Sequence, residues 1–249
     1  MNRLTTLLLL LALGVTLGAA SAGTPLDEAL AAEARLDSAR ALTLFQQAAA
    51  GQPDDAFLLY KIAKQYSDQV PDQTTDEAKI DYARRALGYA QRAFALEPTN
   101  AVYALSLAIC HGHLAASSDV RTRVEMSRLI KEDAERALRL DPDYAWAHHV
   151  LGRWHYEIAS LGPTARFFAR LFYGGIPTAS VDEGIIHLRR ATALEPTELN
   201  HWIYLGFAYA AADRTAESRA AWERGLALPD RSKHDGVAKR RAREALARG

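Results

Sequence analysis

The stretch "HWIYLGFAY", residues 201–209, carries Trp202, Leu205, Gly206 and Tyr209 in the spacing W-x-x-L-G-x-x-Y. On a helix, Trp202, Leu205 and Tyr209 share one face, and Gly206 beside them lets a second helix approach closely. The same phase recurs along the chain. Ten residues on from Pro53, Pro98, Pro142 and Pro196 stand Ala63, Ala108, Gly152 and Gly206, all small. Each follows an aliphatic residue (Ile62, Leu107, Leu151, Leu205), and three positions later come Tyr66, His111, His155 and Tyr209. One geometry, repeated, accounts for all four.

The second half of each unit ends alike. "RAFALEPTN" (92–100), "RALRLDPDY" (136–144), "RATALEPTE" (190–198) and the looser "RGLALPDRS" (224–232) close a helical run with Leu and then Pro, which cannot continue it. The leucines, Leu96, Leu140, Leu194 and Leu228, are spaced by 44, 54 and 34 residues. The last interval is the tetratricopeptide period, and the others are that period with insertions. The expected fold is all-α: a tetratricopeptide-like right-handed solenoid of about five helix pairs, with insertions and a C-terminal capping helix over 233–248. Residues 23–249 are expected to form a single domain.

Residues 1–22 read as a secretory signal peptide: Arg3, an apolar run from Leu7 to Leu17, then Ala20-Ser21-Ala22 at the cleavage position. Export to a periplasm or secretion is therefore expected, with an uncleaved N-terminal membrane anchor as the alternative. The formal net charge of the 249 residues is +0, and no continuous basic surface marks nucleic-acid binding. The basic "KRRAREALAR" near the C-terminus reads as the solvated face of the last helix. Cys110, the single cysteine, permits no internal disulfide.

Several longer stretches go beyond a generic repeat. "LAICHGHLA" (107–115), "SRLIKEDAERALRLDPDYAWAHHVLGRWHYEIASL" (127–161), "FFARLFYGGIPTASVDEGIIHLRRATALEP" (167–196) and "LNHWIYLG" (199–206) resemble the regulator of microtubule dynamics family. That resemblance implies a helical-repeat interaction protein without catalysis, associated with microtubules, mitochondria or membrane contact sites. The secretory leader departs from it, because an exported chain meets no microtubules.

Chemistry is sparse. There is no G-x-S-x-G nucleophile motif and no Gly-rich phosphate loop between strand and helix, so no enzyme, cofactor or metal is expected. His111, His113, His148, His149 and His155 cluster in sequence, but His111 and His155 fill the slot held elsewhere by Tyr66 and Tyr209, which marks packing.

The groove carries the functional expectation. First-helix spacing points Tyr60, Lys64, Val102, Leu105, Ile109, Trp146, His149, Arg153, Tyr156, Ile203 and Phe207 at the concave face, or else into contacts with the chain itself. Tetratricopeptide domains that bind chaperone C-termini clamp a carboxylate with Lys and Asn at such places. Tyr60, Leu105, His149 and Ile203 occupy one of them here, so that clamp is absent. An apolar, aromatic wall with Lys64 and Arg153 as isolated cations suits a peptide, helix or apolar segment with an acidic group nearby. The alternative partner is a lipid or other amphiphile.

The stretch 161–180 accounts for the largest insertion. Pro163 opens and Gly174-Gly175 closes a short helix whose Phe167, Phe168, Leu171 and Phe172 share a face. It could thicken the core, roof the groove as a lid, or offer its face to a partner or membrane surface.

Overall fold

The computed structural model describes residues 24–248; the leader and its cleavage position lie outside the described residues. Every regular element among them is helical. The order is α1 (Pro25–Ala34), α2 (Ser38–Ala49), α3 (Ala56–Gln69), a 3-10 turn (Val70–Asp72), α4 (Asp76–Leu96), α5 (Ala101–Ser117) and α6 (Val120–Leu140). Then come α7 (Ala145–Ala159), α8 (Pro163–Tyr173), α9 (Val181–Leu194), α10 (Leu199–Ala211), α11 (Thr215–Ala227) and α12 (Asp235–Arg248). The helix starts follow from local chemistry. Asp55, Thr75, Asn100, Asp119 and Glu198 each stand one residue before a helix, and each side chain accepts a hydrogen bond from a free backbone N–H of the first turn.

Antiparallel pairs α3–α4, α5–α6, α7–α9 and α10–α11 stack in sequence order. The first helices α3, α5, α7 and α10 also touch one another and make the inner layer, while the second helices form the outer one. The small repeat positions are where helices cross. A Cβ added at Gly206 would lie 2.4 Å from Trp222 Cδ1, and one at Gly152 would lie 2.9 Å from the Gly184 carbonyl. Leu205 and Tyr209 are buried beside Gly206, and Trp202 is half-buried with its indole N–H on the Pro196 carbonyl at 3.0 Å.

α8 interrupts the α7–α9 pair. Pro163 is its first residue and Gly174, at φ 72°, is its left-handed C-cap. Arg166 folds back on α7, donating to the carbonyls of Ile158 (3.1 Å), Ala159 (2.6 Å) and Leu161 (3.0 Å), so it caps the α7 C-terminus. Arg128 of α6 donates to Gly175 O at 2.7 Å. α8 therefore sits at the outer layer, against α6, and Phe167, Leu171 and Phe172 are about 60% exposed. Ala169 of the same helix is buried, so the helix has one covered side while these three side chains stay largely exposed.

The C-terminus does more than cap. Asp235, buried at the start of α12, accepts from Arg231 N and Ser232 N (both 2.7 Å), Ser232 Oγ (2.5 Å) and Asn200 Nδ2 (2.9 Å). These bonds hold its carboxyl below the usual range although burial alone would raise it. The loop so fixed reaches α3: His234 Nε2 donates to Asp68 O at 2.9 Å, and Lys233 pairs with Asp72. Residues more than 160 positions apart thus meet, and the superhelix closes on itself.

Candidate binding surface on the inner layer

The two groove registers behave differently. Of Tyr60, Leu105, His149 and Ile203, the last three are buried and Tyr60 is half-buried, its ring tilted against that of Tyr103 at 5.2 Å between centroids. Different elements cover this register: Tyr103 of α5 lies against Tyr60, His201 of α10 against His149, and α11 and α12 cover Ile203. Leu105 and Ile203 are core residues: the backbone beside Ile203 packs against Gly225. Four residues on, Lys64, Ile109, Arg153 and Phe207 reach the surface or lie partly covered. Trp146 and Val102 are half-buried, and Tyr156 is buried. The inner surface is therefore built chiefly from the later register together with Trp146.

At one end, Lys64 Nζ pairs with Asp68 Oδ2 (2.7 Å) and Glu33 Oε1 (3.4 Å). Burial would lower the ammonium's pKa, but the Asp68 and Glu33 carboxylates outweigh it and hold it above its usual value. This cation is already neutralised.

The centre holds imidazoles. His149 Nδ1 lies 3.1 Å from His201 Nδ1, joining α7 to α10, and Trp146 packs on both rings at 5.0 and 4.9 Å. His201 Nε2 is buried without a hydrogen-bond partner, with Glu195 Oε2 3.6 Å away. Burial pushes His201 down to about 4, and His149 well below its usual value with help from His201 and Arg153. His113 is likewise pushed to about 4 by burial. All three are neutral at pH 7. Other histidines pair outside this centre: His111 Nδ1 with Asp133 Oδ2 at 3.0 Å, His148 Nδ1 with His187 Nδ1 at 2.8 Å, and His155 Nδ1 accepting from Ser180 N at 3.4 Å.

Beside the imidazoles, Arg153 Nε donates to Glu157 Oε1 at 2.8 Å, and its guanidinium lies over the Tyr204 ring at 4.8 Å. Burial alone would lower this guanidinium's pKa; Tyr204 and Glu157 overcome that and raise it. A second guanidinium comes from α12. Arg241 lies 5.8 Å from the Tyr204 ring and 5.0 Å from that of Phe207, and donates to Tyr204 Oη at 3.3 Å. Sequence spacing missed His201, Tyr204 and Arg241. Arg241 sits in the basic run read as solvated, and only the fold of the last helix back over α10 brings it here.

The regulator of microtubule dynamics protein 1-3 family matches residues 26–248, nearly all of the described chain. The chain belongs to that family. Regulator of microtubule dynamics protein 3 of Xenopus laevis is 31% identical over 143 residues, covering 57% of this chain and 31% of that protein. Regulator of microtubule dynamics protein 2 of Homo sapiens is 23% identical over 194 residues, 78% of this chain and 47% of that one. The chain thus spans less than half the length of these relatives. Among solved structures, a thermophilic TPR protein of Thermus thermophilus superposes with a TM-score of 0.66 at 21% identity, over 90% of this chain and 97% of that one. This likeness supports the tetratricopeptide-like solenoid that the repeat phase predicts, and the family match agrees with the sequence resemblance.

Proposed function

We propose that this member of the regulator of microtubule dynamics family is a non-catalytic binding solenoid that captures a protein segment on its inner layer. The observation that carries the reading is the exposed register of the first helices. There stand Arg153 and the partly covered Phe207, with half-buried Trp146 packed on the central imidazoles, while the matching register one turn earlier is spent on packing. Apolar contacts would supply affinity and the guanidinium orientation. Lipid carriage under a lid is the weaker reading, since α8 packs at the outer layer against α6. Export after cleavage at Ala22 is part of the proposal, and it removes microtubules from the partners of this chain whatever the relatives' names say of them. N-terminal sequencing of the mature protein tests that part. The binding reading is tested with a Trp146→Ala, Arg153→Ala double variant whose folding is verified by circular dichroism. It should lose the partners that the wild type retains in a pull-down from its native compartment. An unchanged partner set from a folded variant would refute capture on this surface.

A further inference from the structure

We infer that Arg153, Arg241 and Tyr204 form an anion-binding subsite for a carboxylate side chain of a bound peptide. The inference rests on the binding reading above and gives it a chemical class. Two guanidiniums from helices far apart in sequence, α7 and α12, lie against one phenol ring, at 4.8 and 5.8 Å from its centroid. Arg241 also donates to the hydroxyl of that same ring at 3.3 Å, so both guanidiniums converge on Tyr204. Arg153 spends Nε on Glu157, while Arg241 spends one nitrogen on the Tyr204 hydroxyl. Each guanidinium carries five N–H donors, so each keeps donors beyond the bond just named. Both side chains are exposed, so a ligand reaches them without unfolding anything.

Charge selects the ligand. Arg153 pairs with Glu157, Arg241 makes no ion pair among the described residues, and the neighbouring His149 is held neutral by burial. One positive charge remains in excess. A single carboxylate balances it, whereas a dianionic phosphate overshoots by one charge. Arg–carboxylate pairing is also the contact that Arg153 already makes with Glu157. The apolar flank of Phe207 and Trp146 calls for an aromatic or aliphatic residue adjoining the acid.

A random dodecapeptide display library panned on the immobilised full chain, followed by fluorescence titration of the enriched peptides, tests this. Enriched peptides should carry Asp or Glu beside an apolar residue. Arg241→Gln, an exposed change, should weaken them by about tenfold, and Arg241→Lys by less. Exchanging the peptide's acid for its amide should weaken wild-type binding by a similar factor and leave the Arg241→Gln variant unaffected. Phenylacetate should compete better than phenyl phosphate. Peptides that lose affinity on Trp146→Ala, yet show no acidic preference and ignore Arg241→Gln, would sink the carboxylate subsite while leaving capture on the inner layer standing. Better competition by phenyl phosphate would overturn the carboxylate assignment. A library yielding nothing above a blank surface would refute both readings.

Discussion

At Gly206 the fold depends on a missing methyl group. Its backbone rests on the Trp222 indole, a buried ring that also packs edge-on against Phe207 at 5.4 Å. Gly206→Ala drives a Cβ into three ring atoms and should cost about 1–3 kcal/mol, read from urea denaturation. Gly88→Ala, with open space around it in a helix, should be neutral or stabilising. His201 makes a second residue-scale prediction. Its folded pKa is near 4 against an ordinary 6.5, because burial disfavours the charged imidazolium. Between those values the unfolded chain binds the extra proton. Stability is therefore full above pH 6.5 and falls as pH drops toward 4, by roughly 3 kcal/mol for this residue. His149 and His113 act in the same direction. Denaturant midpoints measured from about pH 7.5 down to about pH 4.5 should fall, and His201→Gln should flatten the slope. An unchanged slope would mean that His201 does not titrate as described.

Element by element, the helices were legible in the sequence because their signals are local. Asp55, Thr75 and Asn100 cap, the prolines punctuate, and Pro163 with Gly174 brackets α8 at the predicted ends. Contacts between elements were less so. The spacing of first-helix residues gave the inward direction but not the depth. Leu105 and Ile203 are covered by neighbouring helices, while Ile109 and Arg153, one turn on, are not. Nor does spacing tell whether an amphipathic insertion packs or protrudes. The exposure of Phe167, Leu171 and Phe172 gives a direct prediction at this scale. Changing Leu171 to Ser should alter stability by less than about 1 kcal/mol, as for a surface substitution. Arg166→Ala should cost more, about 1 kcal/mol, since three carbonyls at the α7 end lose their donor. Equal denaturation midpoints for Arg166→Ala and wild type would contradict that role.

For the whole molecule, the decisive contacts join regions that no repeat period connects. His234 reaches Asp68, Lys233 reaches Asp72, and Arg241 joins Arg153 at Tyr204. The basic C-terminal run looked solvated because its partners lie on other repeats, and long-range closure leaves no local signature. A Lys233→Glu, His234→Ala variant should keep its helix content and show a larger radius of gyration by X-ray scattering, as the loop leaves α3. The most direct test of the central claim is amide hydrogen exchange of the full chain with and without a library-selected acidic peptide. Capture on the inner layer predicts slower exchange along α7 and α10 and in the Arg241 turn of α12, with α6, α9 and α11 unchanged. Protection confined to α8 or to the outer helices would contradict it.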